Sequence, residues 1–306
     1  MAFLSLASAE RDVATGQVLI VDGELVMMGA MSRWFAVFAL CVIFSTAAHA
    51  AQTELRFLRD GEVVKRTDLE SLKKACSLAA VVIEDPYYKK TKSFLAFPLK
   101  QVLSFGFGQP AADLVKEDLF FQALDGYVKP ASGERAVEDG GYLAFADADH
   151  TRGSDPGWEP IDRRGADPGP YYVVWAKPGQ TDAKGYPWPF ELVAIEIGHF
   201  DKKYPDTLPR SAAADSAAWK GFATFRMQCV SCHSVNGQGG RIGPDLNVPR
   251  SIVEYRPIDQ VKAYIRDPET FRHSNMPAHR DLTEAELDDL IAYFSTMKTL
   301  KHDPGK

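Results

Sequence analysis

The chain has 306 residues, with 35 Lys and Arg against 41 Asp and Glu, a formal net charge of −6. Apolar residues make up 45% and charged residues 25%, an ordinary balance that excludes disordered, collagen-like and fibrous classes and suggests about two domains. The excess of acid argues against a nucleic-acid binder, which is usually basic, and four cysteines are too few for a disulfide scaffold.

Residues 31–50, MSRWFAVFALCVIFSTAAHA, read as a secretory signal. One Arg opens the run, an apolar stretch follows from Trp34 to Phe44, and Ala48-His49-Ala50 is a small-residue cleavage box. The stretch is too short to span a bilayer comfortably, so no membrane anchor is expected after cleavage. Residues 1–27 or 1–30 precede the signal and do not look like one; the natural start is expected at Met28 or Met31. The product would be periplasmic, in an oxidising compartment. Cleavage leaves Cys76, Cys229 and Cys232, an odd set that needs an explanation.

Beyond the signal, residues 53–72 predict a strand, a turn and a helix, with Thr67 as N-cap before DLESLKKA. Ala79 to Asp85, AAVVIED, predicts a short buried strand. FPLKQVLSFGF predicts a helix broken by Gly106 and Gly108. DLFFQALDGY predicts a strand with a turn at Asp125-Gly126, and GGYLAFAD another strand. Asp147 to Gly169, rich in Gly, Pro, Asp and Arg, predicts a long surface loop. PYYVVWAK and FELVAIEIGHF predict two further strands. Residues 51–208 are therefore expected to form an α+β domain with a substantial β-sheet.

Residues 209–216 lie in a Pro-, Ser- and Ala-rich stretch that predicts a linker. Over 217–306 the period becomes helical. AWKGFATFRMQ predicts a first helix, capped by Asp215 or Ser216. PIDQVKAYIRD predicts a second, with Ile258, Val261 and Ile265 on one face. TEAELDDLIAYFSTMK predicts a third: Thr283 and Glu286 form a capping box, Leu282 and Leu287 a staple, and Leu287, Leu290, Ile291, Phe294 and Met297 an apolar stripe. The second domain is expected to be small and all-α.

Cys229-Val230-Ser231-Cys232-His233 is C-x-x-C-H, the attachment motif for haem c. Each thiol adds across one vinyl group, and the adjacent His233 presents its imidazole to the iron. A disulfide gives no reason for the following histidine, and a zinc site needs a second ligand pair that the sequence does not offer. For the opposite side of the iron, His273, Met276 and His279 lie within one short stretch. Pro277 restricts Met276 to an extended conformation, projecting it from a loop. Met227 is too near the attachment site to reach the far face, and Met297 sits at core spacing.

Residues 215–300 resemble class I cytochrome c. The features are a helix with Gly221 among Trp219, Phe222 and Phe225, then C-x-x-C-H, then Gly243-Pro244-Asp245-Leu246, then Met276-Pro277, then a last helix with Tyr293-Phe294. The resemblance implies one covalent haem on Cys229 and Cys232 with His233 and Met276 as axial ligands. Asn275-Met276-Pro277 matches the family's ligand loop; His273 and His279 are the alternatives. The resemblance also implies that the Pro244 carbonyl accepts from the His233 ring. Met/His ligation raises the reduction potential relative to two imidazoles, and two protein ligands leave no position for oxygen. The implied protein is an electron carrier, more an electron-transfer protein than an enzyme, serving a periplasmic redox partner.

Residues 65–205 resemble, less specifically, the molybdopterin-binding domain of the sulfite oxidase family. The carrying segments include Asp85-Pro86-Tyr87, Phe97-Pro98-Leu99, Ala123-Leu124-Asp125-Gly126-Tyr127, Gly169-Pro170-Tyr171 and Tyr186-Pro187-Trp188-Pro189-Phe190. That family holds molybdenum through a cysteine in a central loop. Cys76, at a predicted helix end, does not match it, so a molybdenum cofactor is not expected and the domain reads as a docking module. Arg152, Arg163 and Arg164 are not clustered as a pterin grip. His150 and His199 are weak metal candidates. Trp158, Trp175, Tyr186 and Trp188 would line a pocket or pack the core. The competing reading is a haem-containing molybdenum oxidoreductase of the sulfite dehydrogenase type.

Overall fold

In a computed structural model of the chain, the structure describes residues 54–304 except 153–154, 162–164 and 184. The signal segment, the two candidate starts, Arg163 and Arg164 lie outside the described residues, as does the side chain of Arg152.

The N-terminal region is built on two sheets. Strands β1 (Leu55–Arg59), β2 (Glu62–Thr67), β5 (Asp118–Ala123), β6 (Val128–Ser132) and β11 (Leu192–Gly198) form a mixed sheet in the order β2-β1-β11-β5-β6. Only the β1–β11 pair in it is parallel. Strands β3 (Ala79–Asp85), β4 (Lys90–Pro98), β7 (Gly141–Asp147) and β10 (Tyr172–Trp175) form an antiparallel sheet in the order β10-β7-β4-β3. Between β7 and β10, β8 (Thr151–Arg152) and β9 (Asp155–Pro156) make a small hairpin in the predicted loop. Helices α1 (Leu69–Ala75), α2 (Leu99–Phe107) and the single turn α3 (Gly133–Ala136) accompany the sheets.

Several local expectations change. The cap of α1 is Asp68, whose Oδ1 accepts from Ser71 N at 2.8 Å; Thr67 is the last residue of β2. A carboxylate serves the orphan amides and the helix dipole together. The stretch Ala79–Asp85 is a strand, but an edge strand: its side chains alternate and Val82 is 67% exposed. The helix at Leu99 runs through Gly106, which lets the Phe57 ring lie against its backbone, and ends at Gly108 with φ +66. Trp158, Trp175 and Trp188 are buried core residues, and the Trp175 and Trp188 indoles donate to the Pro187 and Gln180 carbonyls.

One polar cluster is enclosed in this region. Lys92 on β4 and Asp147 on β7 are 2% and 0% exposed and ion-paired, with Glu159 at 3.0 Å from the same ammonium. Lys92→Ala is expected to cost about 3 kcal/mol, because it strands the Asp147 carboxylate in the interior. Urea unfolding at neutral pH checks this, and an unchanged midpoint would refute it.

The C-terminal region is helical: α4 (Phe200–Lys203), α5 (Ala217–Thr224), α6 (Ile252–Tyr255), α7 (Ile258–Arg266) and α8 (Glu284–Met297). Residues 209–216 are turns and bends. Helix α8 starts with a capping box in which Thr283 Oγ1 accepts from Glu286 N and Glu286 Oε2 from Thr283 N. Its Leu287, Leu290, Ile291, Phe294 and Met297 are all buried. On α7, Val261 and Ile265 are buried but Ile258 is 46% exposed. Among the described residues no helix is long and apolar enough to cross a membrane.

Strand β5 joins the two regions. Successive side chains of a strand point to opposite faces. Leu119 and Phe121 enter the core of the sheets, while Phe120 enters the helical core with Phe200, Tyr204, Phe222 and Phe225. Burying each such aromatic is worth about 2 kcal/mol. Arg226 pairs with Asp118 at 2.8 Å, and the Tyr293 hydroxyl donates to the Thr207 carbonyl at 2.8 Å. The described residues thus fall in one compact unit.

Candidate haem site

Helix α5 does not stop at Thr224. It widens into a π turn, Phe225–Cys229, in which Val230 N donates to Phe225 O at 2.9 Å. Such turns often sit at functional sites because they re-aim the residues that follow. The next turn closes on Cys229, whose carbonyl accepts from Cys232 N at 3.1 Å and His233 N at 2.9 Å. Both thiols therefore lie on one turn beside the imidazole. Neither forms a disulfide, and burial pushes the Cys229 thiol up to about 12.

The His233 ring is fixed from behind. Its Nδ1 donates to the Pro244 carbonyl at 2.8 Å, so Nε2 is the nitrogen left for a metal. Burial lowers the ring's pKa, against the opposing pull of Pro244 and Asp245, and a neutral imidazole is the ligating form. Gly243 closes the arrangement: its N donates to Cys232 O at 2.7 Å, and a Cβ there would lie 2.3 Å from the ring. A carbonyl partner on the second nitrogen orients a ligating histidine and raises its basicity.

Met276 lies in the loop between α7 and α8, half-buried and packed against the helical core, with its N donating to Ser274 Oγ at 3.2 Å. His273 is exposed. His279, the other alternative, is buried, and its N donates to Ile265 O at 3.1 Å. Met227 is 54% exposed and Met297 is in the core. Among the described residues no three His, Cys, Asp or Glu side chains converge to hold a metal ion. Neither the Cys229–Cys232 pair nor His150 or His199 belongs to such a group. The donor set fits haem c: two thiols one turn apart, an oriented imidazole and a thioether on a separate loop.

Fold and site together define a small helical domain, carrying the C-x-x-C-H turn, packed on a β-rich region. Residues 218–298 match the cytochrome c family, which supports a C-terminal class I cytochrome c domain and haem c binding. The chain is also 28% identical over 121 residues to cytochrome c oxidase subunit 2 of Alkalihalophilus pseudofirmus, a match covering 37% of this chain. It spans 35% of that relative's length.

Among the described residues of the first region no three His, Cys, Asp or Glu side chains converge. Cys76 is the C-cap of α1, buried, with its thiol raised by burial. Sequence reasoning gave Val128 and the Gly126 turn no part in this site. They are far from C-x-x-C-H in the chain, yet Val128 N donates to Ser231 O at 3.0 Å and Gly126 O accepts from Arg241 N at 3.1 Å. No local motif marks them, because a fold contact brings them there.

Proposed function

We propose that this protein is an exported electron carrier. One haem c is bound covalently by Cys229 and Cys232 and ligated by His233 and Met276, and the first domain docks it to a periplasmic redox partner. Bound haem c supplies a one-electron Fe(III)/Fe(II) couple. The chain orients it: Pro244 sets the His233 tautomer, Gly243 makes room for the ring, and the loop of Met276 offers a thioether, which favours the reduced metal. The observation that carries the reading is the His233–Pro244 bond on the C-x-x-C-H turn. The match to an oxidase subunit supports a respiratory partner.

The molybdenum oxidoreductase reading is weaker. The first domain resembles a molybdopterin-binding domain in its segments, but Cys76 caps a helix in the core, and we propose that the domain carries no molybdenum. Metal analysis of the full chain separates the two readings: iron near one per chain without molybdenum is expected, and stoichiometric molybdenum would overturn it. The axial assignment has its own test. The reduced protein should be low-spin and bind no CO at neutral pH, while Met276→Ala should bind CO and have a lower potential. An unchanged spectrum in Met276→Ala would shift the assignment to His273 or His279.

A further inference from the structure

Every main-chain carbonyl from Cys229 to Cys232 has a partner, as buried carbonyls require. Cys229 O accepts from Cys232 N and His233 N inside the turn, at 3.1 and 2.9 Å. Val230 O and Cys232 O accept from Gly240 N and Gly243 N, at 2.8 and 2.7 Å, so the loop 240–243 backs the turn. Ser231 O is met from the first domain, by Val128 N at 3.0 Å. Val128 opens β6, an edge strand, and an edge strand has N–H groups on its outer side to give away.

The same hairpin holds the backing loop. Arg241 N donates to Gly126 O at 3.1 Å. Gly126 has φ +92, and a Cβ there would lie 3.2 Å from Arg241 Cβ, so this approach needs a glycine. The hairpin tip is itself well tied: Ala123 N donates to Tyr127 O at 2.9 Å, Tyr127 N to Asp125 Oδ1 at 2.9 Å and Leu124 N to Glu191 O at 3.0 Å. At the other end of β5, Asp118 grips the π turn that leads into Cys229. Its Oδ1 accepts from Arg226 Nη2 and its Oδ2 from Phe200 N, both at 2.8 Å. The Arg226 guanidinium lies over the Phe200 ring, 4.5 Å from its centroid. Between the two ends, Phe120 shares a core with Phe225 of the π turn.

We propose that β5 and its hairpin are a jig for haem attachment. The first domain ties the segment 225–243 at Arg226, Ser231 and Arg241, which makes Asp118, Val128 and Gly126 positioning residues for Cys229, Cys232 and His233. The inference rests on the haem reading above and deepens it. Attachment adds each S–H across a vinyl C=C with no leaving group, so what it asks of the chain is placement. A π turn re-aims the residues that follow it. Tying Arg226 before the cysteines and Ser231 between them therefore sets where both thiols and the imidazole face. Each tie joins protein groups only, so the segment is ordered ahead of attachment and the ordering cost is not met again on binding.

The test uses the full-length chain. Val128→Pro removes the N–H from Ser231 O, Gly126→Val blocks the approach to Arg241, and Arg226→Ala releases Asp118. Each should lower covalent haem per purified chain several-fold and displace the midpoint potential of the loaded fraction. Arg226→Lys keeps the ion pair and should restore both. Arg226 is 41% exposed, so its series reads the jig even where Val128→Pro fails to fold. Lys92→Ala is the control: it destabilises the first domain away from these ties and should leave both readings unchanged. Hydrogen exchange on the haem-free chain reads the ties without haem. Val128→Pro and Arg226→Ala should speed exchange over 225–243 on the order of tenfold, the scale of one lost buried hydrogen bond, and leave α8 protected. Haem content, potential and exchange equal to those of the unaltered chain would overturn the jig, as would an equal loss of haem in Lys92→Ala. Absence of haem from the unaltered chain would overturn the electron-carrier reading, and the exchange rates would still decide whether the ties hold the segment.

Discussion

Cys229→Ala and Cys232→Ala are each expected to lower sharply the amount of haem-loaded protein recovered, while the haem that is loaded stays with the protein on acid-acetone extraction through its remaining thioether. One thioether remains in each variant, so the macrocycle keeps one tether and loses the geometry that presents it to His233. That geometry is tight. Cys232 N and His233 N both bond to the Cys229 carbonyl, at 3.1 and 2.9 Å, and Gly240 N bonds to Val230 O at 2.8 Å. The ring behind them is pinned by Pro244. The double variant should carry no covalent haem at all. Extraction followed by absorbance of the protein fraction reads the result directly. Full retention in the double variant would dismiss covalent attachment at these residues.

Gly221→Val should destabilise the protein by about 3 kcal/mol or prevent haem incorporation altogether. Helices α5 and α8 touch backbone to backbone here: a Cβ on Gly221 would lie 1.9 Å from the Asp289 carbonyl oxygen and 2.8 Å from Tyr293 Cβ. The obstructing atom is main chain inside a regular helix, so it cannot rotate away. The helices must separate. Separation would loosen Phe225 from Tyr293, whose rings are 5.2 Å apart, and pull the Tyr293 hydroxyl from Thr207 O. Overpacking a core costs about 1–3 kcal/mol, and a rigid neighbour puts this site at the upper end. Gly221→Ala opposes part of that cost through better helix propensity, worth about 1 kcal/mol, so it should be milder. Urea midpoints of the haem-loaded proteins rank the three, and a Gly221→Val midpoint at or above that of Gly221 would contradict the account.

The α8 start and stripe were legible in the sequence because their determinants are contiguous. A capping box needs only Thr283 and Glu286 three residues apart, and a buried face needs only apolar side chains at helical spacing. The attachment motif is local in the same sense: Cys229, Cys232 and His233 share one turn. Strands were legible where they are apolar, as in Tyr172–Trp175 and Leu192–Gly198, all buried. They were not legible where the sheet leaves them polar. Lys90–Pro98 opens on Lys90-Thr91-Lys92, and Glu62–Thr67 and Val128–Ser132 are exposed or half-exposed edge strands. Their pairing, and no pattern of their own, holds them extended.

By itself the sequence determined the C-x-x-C-H motif, the order of the features shared with cytochrome c and the helical character of the last third, since each depends on neighbours within a few residues. The tertiary structure alone decided what that chemistry faces. Phe120 lies in the helical core because β5 alternates between two faces. Asp118 meets Arg226 across 108 residues of chain. The 125–126 turn reaches the attachment loop because β5 and β6 hold it there. Such contacts leave no periodic trace. They depend on burial and hydrogen bonds between residues about a hundred positions apart, and those interactions come into being only when the sheets and helices have packed.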